Sequence, residues 1–154
     1  MVRFIGALVL VLLLVTTSFG QRSLVGSYKL VFHDVTVDGA PTYPLGKAPH
    51  GYLTLTPNLY IAFYVGDSRK FGMSAVEKAA LLDTMTAWSG KYRIEGSKMI
   101  ISVDASWTEV WTGKDQVRNF TVSGNRLTMQ GEPTPFPRDP SKMSVVRQVW
   151  EKIE

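Results

Sequence analysis

Gln116, Arg118 and Phe120 alternate at period two, which on a strand puts all three on one face. If that face is turned into a core, a guanidinium and a carboxamide sit among apolar groups. A buried guanidinium without a partner costs at least several kcal/mol, so Arg118 needs an acceptor. Asp104, Glu109 or another acceptor would serve, and so would the carboxylate of a bound molecule. The structural reading is an arginine packed over Tyr28 or over a tryptophan, closing one end of the core.

Other chemistry is sparse. His33 and His50 are the only imidazoles, cysteine is absent, and no carboxylate cluster accompanies either histidine, so no metal-ligand spacing is present and no cofactor is implied. No serine lies in a Gly-x-Ser-x-Gly elbow, so the residues define no catalytic group. Trp88, Trp107, Trp111 and Trp150 could form an aromatic wall, although aromatic rings also dominate ordinary cores. Trp150 reads as core closure, whereas Trp107 and Trp111 lie near a connection where they could line a mouth.

The ends and the charge restrict where the chain works. Arg3, the apolar run from Phe4 to Val15 and the small residues around Ser18-Phe19-Gly20 have the pattern of a secretory signal, which makes residues 1–20 an address and Gln21 the mature start. As a retained helix the run would reach only about 18 Å into a hydrocarbon core of about 30 Å. The expectation is a secreted or periplasmic protein with no stable membrane insertion after cleavage. The 17 basic and 13 acidic residues are dispersed, which argues against nucleic acid as a partner.

From Leu24 onward, short alternating runs are separated by glycine, proline and asparagine. Leu24–Val37 reads as a long first strand with Tyr28, Leu30 and Phe32 on one face and His33 on the other. Gly51–Thr56 and Leu59–Val65 form a hairpin, with Ile61 and Phe63 expected on the face of Leu53 and Leu55. Ser74-Ala75-Val76-Glu77 is a capping box, predicting a helix of about four turns that ends at Gly90 and carries Leu81, Met85 and Trp88 on one face. Hairpins follow around Gly96-Ser97 and Gly124, with Tyr92 and Ile94 facing Met99, Ile101 and Val103. The stretch 132–142 holds four prolines and reads as a loop, so every proline falls outside the expected elements. The last strand, Ser144–Glu151, can pair with the first and remove the open edges. Residues 21–154 thus read as a single mainly β domain: an eight-stranded antiparallel up-and-down barrel with one inserted α-helix.

Several phrases in this order resemble the lipocalin-like domain family: Leu24-Val25-Gly26-Ser27-Tyr28-Lys29-Leu30, Tyr43-Pro44-Leu45-Gly46, Gly51-Tyr52-Leu53-Thr54-Leu55-Thr56-Pro57 and Trp111-x-Gly113-x-x-Gln116-x-Arg118, with Asn125-Arg126-Leu127-Thr128 and Val149-Trp150-Glu151 near the end. The resemblance covers Leu24 to Lys152. It implies a lined barrel interior and roles from carrying small apolar molecules to assisting cyclisation or isomerisation. Two positions depart from it. Tyr28 stands where relatives usually have tryptophan, and the strand around Ile100-Ile101-Ser102 lacks a histidine found in many of them.

The expected function is binding of a small apolar or amphipathic molecule in the interior. Tyr28, Phe63, Tyr92, Phe120 and Met129 would be walls, Gln116 and Arg118 polar anchors, and Trp107 and Trp111 would stand at the mouth. About 300 Å² of buried apolar ligand surface would supply about 7 kcal/mol against an association cost of at least about 4 kcal/mol, so a polar anchor must add specificity. The rival readings are a cyclase or isomerase using Tyr92 or Glu109 for proton transfer, and a solid-cored envelope interaction protein.

Overall fold

A computed structural model describes residues 24–136 and 139–154, so the leader expected at residues 1–20 lies outside the described residues. The strands are β1 (Gly26–Val37), β2 (Ala40–Thr42), β3 (His50–Leu55), β4 (Leu59–Val65), β5 (Met85–Glu95), β6 (Lys98–Ser106), β7 (Asp115–Ser123), β8 (Arg126–Gly131), β9 (Thr134–Phe136) and β10 (Asp139–Lys152). Helix α1 (Ala75–Asp83) lies between β4 and β5.

Neighbours along the chain pair antiparallel from β3 to β8, β8 pairs with β10, and β10 returns to β1 in a register running from Tyr28 opposite Lys152 to Val37 opposite Ser144. That last seam closes an eight-stranded barrel, with β2 and β9 as short additions on β1 and β10. Closure satisfies both edges of the sheet. The core is formed by the inward faces of the barrel strands, including Leu30, Leu53, Leu55, Met99, Ile101, Leu127 and Trp150. Among the described residues no helix is long and apolar enough to cross a membrane.

Four expectations are corrected. The capping box at Ser74 is present with both of its bonds, but α1 stops at Asp83 and buries no side chain. The Thr84 hydroxyl bonds back to the carbonyls of Ala80 and Leu81, and the alternation Thr86-Ala87-Trp88-Ser89 then favours extended chain. Met85 and Trp88 therefore belong to β5, and Trp88 points inward.

The second correction is the facing of β4. Tyr60 and Tyr64 are buried, whereas Ile61 and Phe63 are 44 and 48 % exposed. Every residue of β4 is apolar or aromatic, so alternation within it carries no signal. Its partner decides: Gly51 lies opposite Tyr64, and a Cβ on Gly51 would run into the Tyr64 side chain, so glycine makes the room that the tyrosine occupies.

Third, β1 is bulged. Leu30 pairs with Trp150 and Phe32 with Val149, leaving Val31 as the extra residue. The bulge reverses the facing of the residues beyond it, so His33 joins Tyr28 and Leu30 inside instead of standing on the opposite face. His33 is 6 % exposed and lies opposite the equally buried Gln148.

Fourth, Pro41, Pro135 and Pro140 fall within strands β2, β9 and β10. The two short additions and the outer part of β10 lie at sheet margins, where a missing backbone donor is tolerated.

Candidate functional site

Arg118 projects from β7 into the barrel and is 7 % exposed. Its guanidinium carbon lies 5.3 Å from the ring centroid of Trp88 and 6.0 Å from that of Trp111. Room for it comes from the opposite residue of β8, Gly131, where a Cβ would stand 2.9 Å from Val146 Cγ1 and 3.6 Å from Arg118 Nη1. Nη1 donates to the Val117 carbonyl at 2.9 Å, while both terminal nitrogens reach Gln116 Oε1 only at 3.5 Å. Among the described residues no carboxylate forms an ion pair with Arg118. Asp104 accepts instead from Ser89 Oγ at 2.8 Å, and Glu109 is exposed.

The charge is thus held by π faces and one strong hydrogen bond. Burial pushes the Arg118 pKa below the ordinary guanidinium range, and the Tyr60 and Tyr64 phenols oppose that shift. Those phenols are themselves pushed upward by burial, so both stay protonated. Tyr60 packs on Trp88 with centroids 4.5 Å apart, and Trp88 meets Trp111 at 5.3 Å. Tyr60 Oη, Trp88 Nε1 and Trp150 Nε1 are buried without a well-formed hydrogen bond. A cation and the Tyr60 hydroxyl therefore share one aromatic lining, an environment suited to an oxyanion.

His33 extends the same lining. Its ring centroid is 5.7 Å from that of Tyr64, which lies 5.9 Å from Trp150 and whose hydroxyl is beside Thr86, Gln148 and Trp88. Burial lowers the His33 pKa to about 4 against the opposing pull of the Asp34 carboxylate, so the imidazole is neutral at neutral pH. Among the described residues its buried Nδ1 meets no partner beyond the residue's own backbone. Neither His33 nor Tyr60 and Tyr64 was legible as lining, because one waits on a bulge and the others on the register with Gly51.

The remaining residues expected at the site divide by place. Tyr28 and Tyr92 face inward, but each hydroxyl is tied to backbone, Tyr28 to the Leu24 carbonyl at 2.7 Å and Tyr92 to the Thr56 carbonyl at 2.8 Å. They close the end of the barrel beside the β3–β4 turn. Phe120 and Met129 are cross-strand partners, the first half-buried and the second fully buried. Trp111 is in the enclosure, and Trp107 packs on it edge to face at 4.8 Å. Phe63 lies on the outer surface, where it joins Ile61, Ala87 and Trp107 around a cleft of about 360 Å³ that reaches Trp88. Among the described residues no three histidine or carboxylate side chains converge as a metal site would require.

A closed antiparallel barrel with aromatic walls around a polar anchor has the architecture of a small-molecule-binding protein. The family model of the lipocalin-like domain matches residues 25–153, and the chain belongs to that family. Neither the curated proteins nor the solved structures yield a match.

Proposed function

We propose that the protein binds a small, partly apolar molecule bearing a carboxylate or enolate, with the acidic group against Arg118 and the apolar body among Trp88, Trp111 and Phe120. The observation that carries this reading is a guanidinium 7 % exposed that forms no ion pair with any carboxylate among the described residues. An anionic guest supplies the missing counter-charge, and hydrogen bonds to a charged group contribute about 1.5–3 kcal/mol each. Tyr60 Oη is a further donor within the same lining. We extend the proposal to export, with residues 1–20 removed and the carrier working in a secreted or periplasmic setting. The leader pattern supports that reading, and a mature N-terminus at Gln21 in protein recovered from its source would test it.

The binding test compares decanoic acid with its methyl ester by tryptophan fluorescence, since Trp88 and Trp111 flank the guanidinium. The acid is expected to bind more tightly by about tenfold or more. Equal affinity for acid and ester would reject the anchor. A solid-cored barrel is the second reading, favoured by the complete burial of Tyr60, Leu127 and Trp150. Native mass spectrometry of protein from its source separates the two, because a carrier arrives with added mass.

A further inference from the structure

Among the described residues, the buried polar side chains are unevenly partnered. Asp34 is held by Arg147, and the Ser144 hydroxyl donates to the Thr134 carbonyl at 3.2 Å. His33, Thr86 and Gln148 are 6, 8 and 2 % exposed, and they converge on Tyr64 from three other strands. Thr86 lies opposite Tyr64 across the β4–β5 pairing, and His33 lies opposite Gln148 across the closing seam. Thr86, Gln148 and Trp88 all stand at the Tyr64 hydroxyl, with the His33 ring centroid 5.7 Å from that of the tyrosine. A carboxamide alone carries two donors and two lone pairs, and a neutral imidazole adds one donor and one acceptor, so a single phenol cannot answer them all. The His33 Nδ1 meets nothing beyond its own backbone. Buried polar groups are ordinarily all bonded, which leaves this group with capacity for one more partner.

The group lies beneath one end of the barrel. The longer connections, from β1 to β3, β4 to β5 and β6 to β7, all leave from that end, and Tyr64 and Thr86 are each the second residue in from it. The opposite end is closed by the short turns 56–58, 96–97 and 124–125. Tyr64 also lies within the field of Arg118, so the two places are neighbours on one lining. Their chemistry differs. Arg118 carries a full charge, whereas the His33 imidazole is neutral at neutral pH, and Thr86, Gln148 and Tyr64 are uncharged. Dipoles of this kind suit a neutral oxygen and not a second carboxylate.

We infer that His33 and Gln148 form a second polar subsite, which takes a hydroxyl or carbonyl oxygen on the body of the guest whose acidic group meets Arg118. The inference rests on the interior binding proposed above and adds the class of guest, a hydroxy or oxo acid in place of a simple fatty acid. A wholly apolar tail would cover the same side chains and leave them unanswered. A site built to hydrogen-bond an oxygen discriminates in this way against the analogue that lacks it.

Tryptophan fluorescence titrations test it, with decanoic acid, its 3-hydroxy, 5-hydroxy and 10-hydroxy derivatives, and the methyl esters of all of them. At least one hydroxy acid is expected to bind more tightly than decanoic acid by about tenfold or more. The same hydroxyl should improve the ester, which separates this subsite from the Arg118 anchor. His33→Leu and Gln148→Leu keep a similar volume, and each should abolish the gain while the preference for decanoic acid over its ester is retained. The ligand series in the parent protein is read independently of either variant, so a variant that fails to fold does not decide the matter. A gain absent from every hydroxy acid, or one that survives both substitutions, would overturn the inference; with decanoic acid still preferred over its ester, the Arg118 reading would stand alone. A hydroxyl gain with equal binding of acid and ester would instead support the subsite and reject the anchor. Failure of every compound to bind would reject both.

Discussion

Arg118 lies over Trp88 at 5.3 Å, a cation on an indole face across the interior of a closed barrel, where a carboxylate would be the ordinary partner. Cation–π contact is worth up to about 2 kcal/mol when desolvated, less than the several kcal/mol needed to bury an ion. The arrangement holds a residual demand for negative charge. Replacing Arg118 by methionine fills similar volume without that demand, so the variant is expected to be at least as stable as the parent, gaining up to about 3 kcal/mol in urea unfolding. It should also lose its preference for decanoic acid over the ester. A loss of several kcal/mol instead would make Arg118 a structural closure.

Gly131 sets the space for that guanidinium. Gly131→Val would crowd Arg118 Nη1 and Val146, and overpacking of this kind costs about 1–3 kcal/mol. The expected signature is a lower urea midpoint together with altered tryptophan emission. Unchanged emission would place the strain on Val146 alone.

Asp34 and Arg147 pin the β1–β10 seam. Arg147 Nη2 lies 2.9 Å from Asp34 Oδ2 and its Nε 3.2 Å from Oδ1, with the carboxylate side chain 3 % exposed and the arginine 49 %. Arg147 also covers the Phe32 ring at 4.9 Å. Arg147→Ala strands a buried carboxylate and is expected to destabilise by about 3 kcal/mol, reduced from a fully buried pair because the arginine is half in solvent. Arg126→Ala, at an exposed pair, should change stability by less than about 1 kcal/mol. Comparable effects at both positions would contradict the burial argument.

His33 gives the protein a pH dependence of defined sign. Its folded pKa of about 4 lies below the ordinary histidine value of 6.5, so between these values the unfolded chain binds the extra proton. Its contribution is complete above pH 6.5 and is lost as pH falls toward 4. The full difference corresponds to about 3 kcal/mol. In urea titrations the parent should therefore lose about 2–3 kcal/mol more than His33→Gln between pH 7 and pH 4.5. Parallel pH profiles would mean that the imidazole is hydrated.

The cap of α1 is a local device. Ser74→Ala removes an N-cap bond worth about 1 kcal/mol, yet the helix contributes no buried side chain. Hydrogen exchange at the Lys78 amide, which bonds to the Ser74 carbonyl, should quicken while the global unfolding midpoint stays within error. A fall in that midpoint would show that α1 is coupled to the barrel.

Local sequence pattern was enough to specify the barrel and its closure. Turn residues punctuate each hairpin, Tyr92 and Ile94 meet Ile101 and Met99 as their alternation requires, and Trp150 pairs with the first strand. The face of Arg118 followed from period two, a local property of any strand. Long-range packing settled the features that local periodicity does not encode. In β4 both faces are apolar, so only the gap at Gly51 selects Tyr60 and Tyr64 for the interior and turns Phe63 out. In β1 a single bulged residue brings His33 inside. Trp88 entered the site because the Thr84 hydroxyl ends α1 and pairing with β4 and β6 extends the chain beyond it, which spacing along the sequence could not distinguish from another helical turn. Which side chain meets the guanidinium is likewise a matter of strands far apart in the chain, since the partners are set by barrel register and not by proximity in sequence.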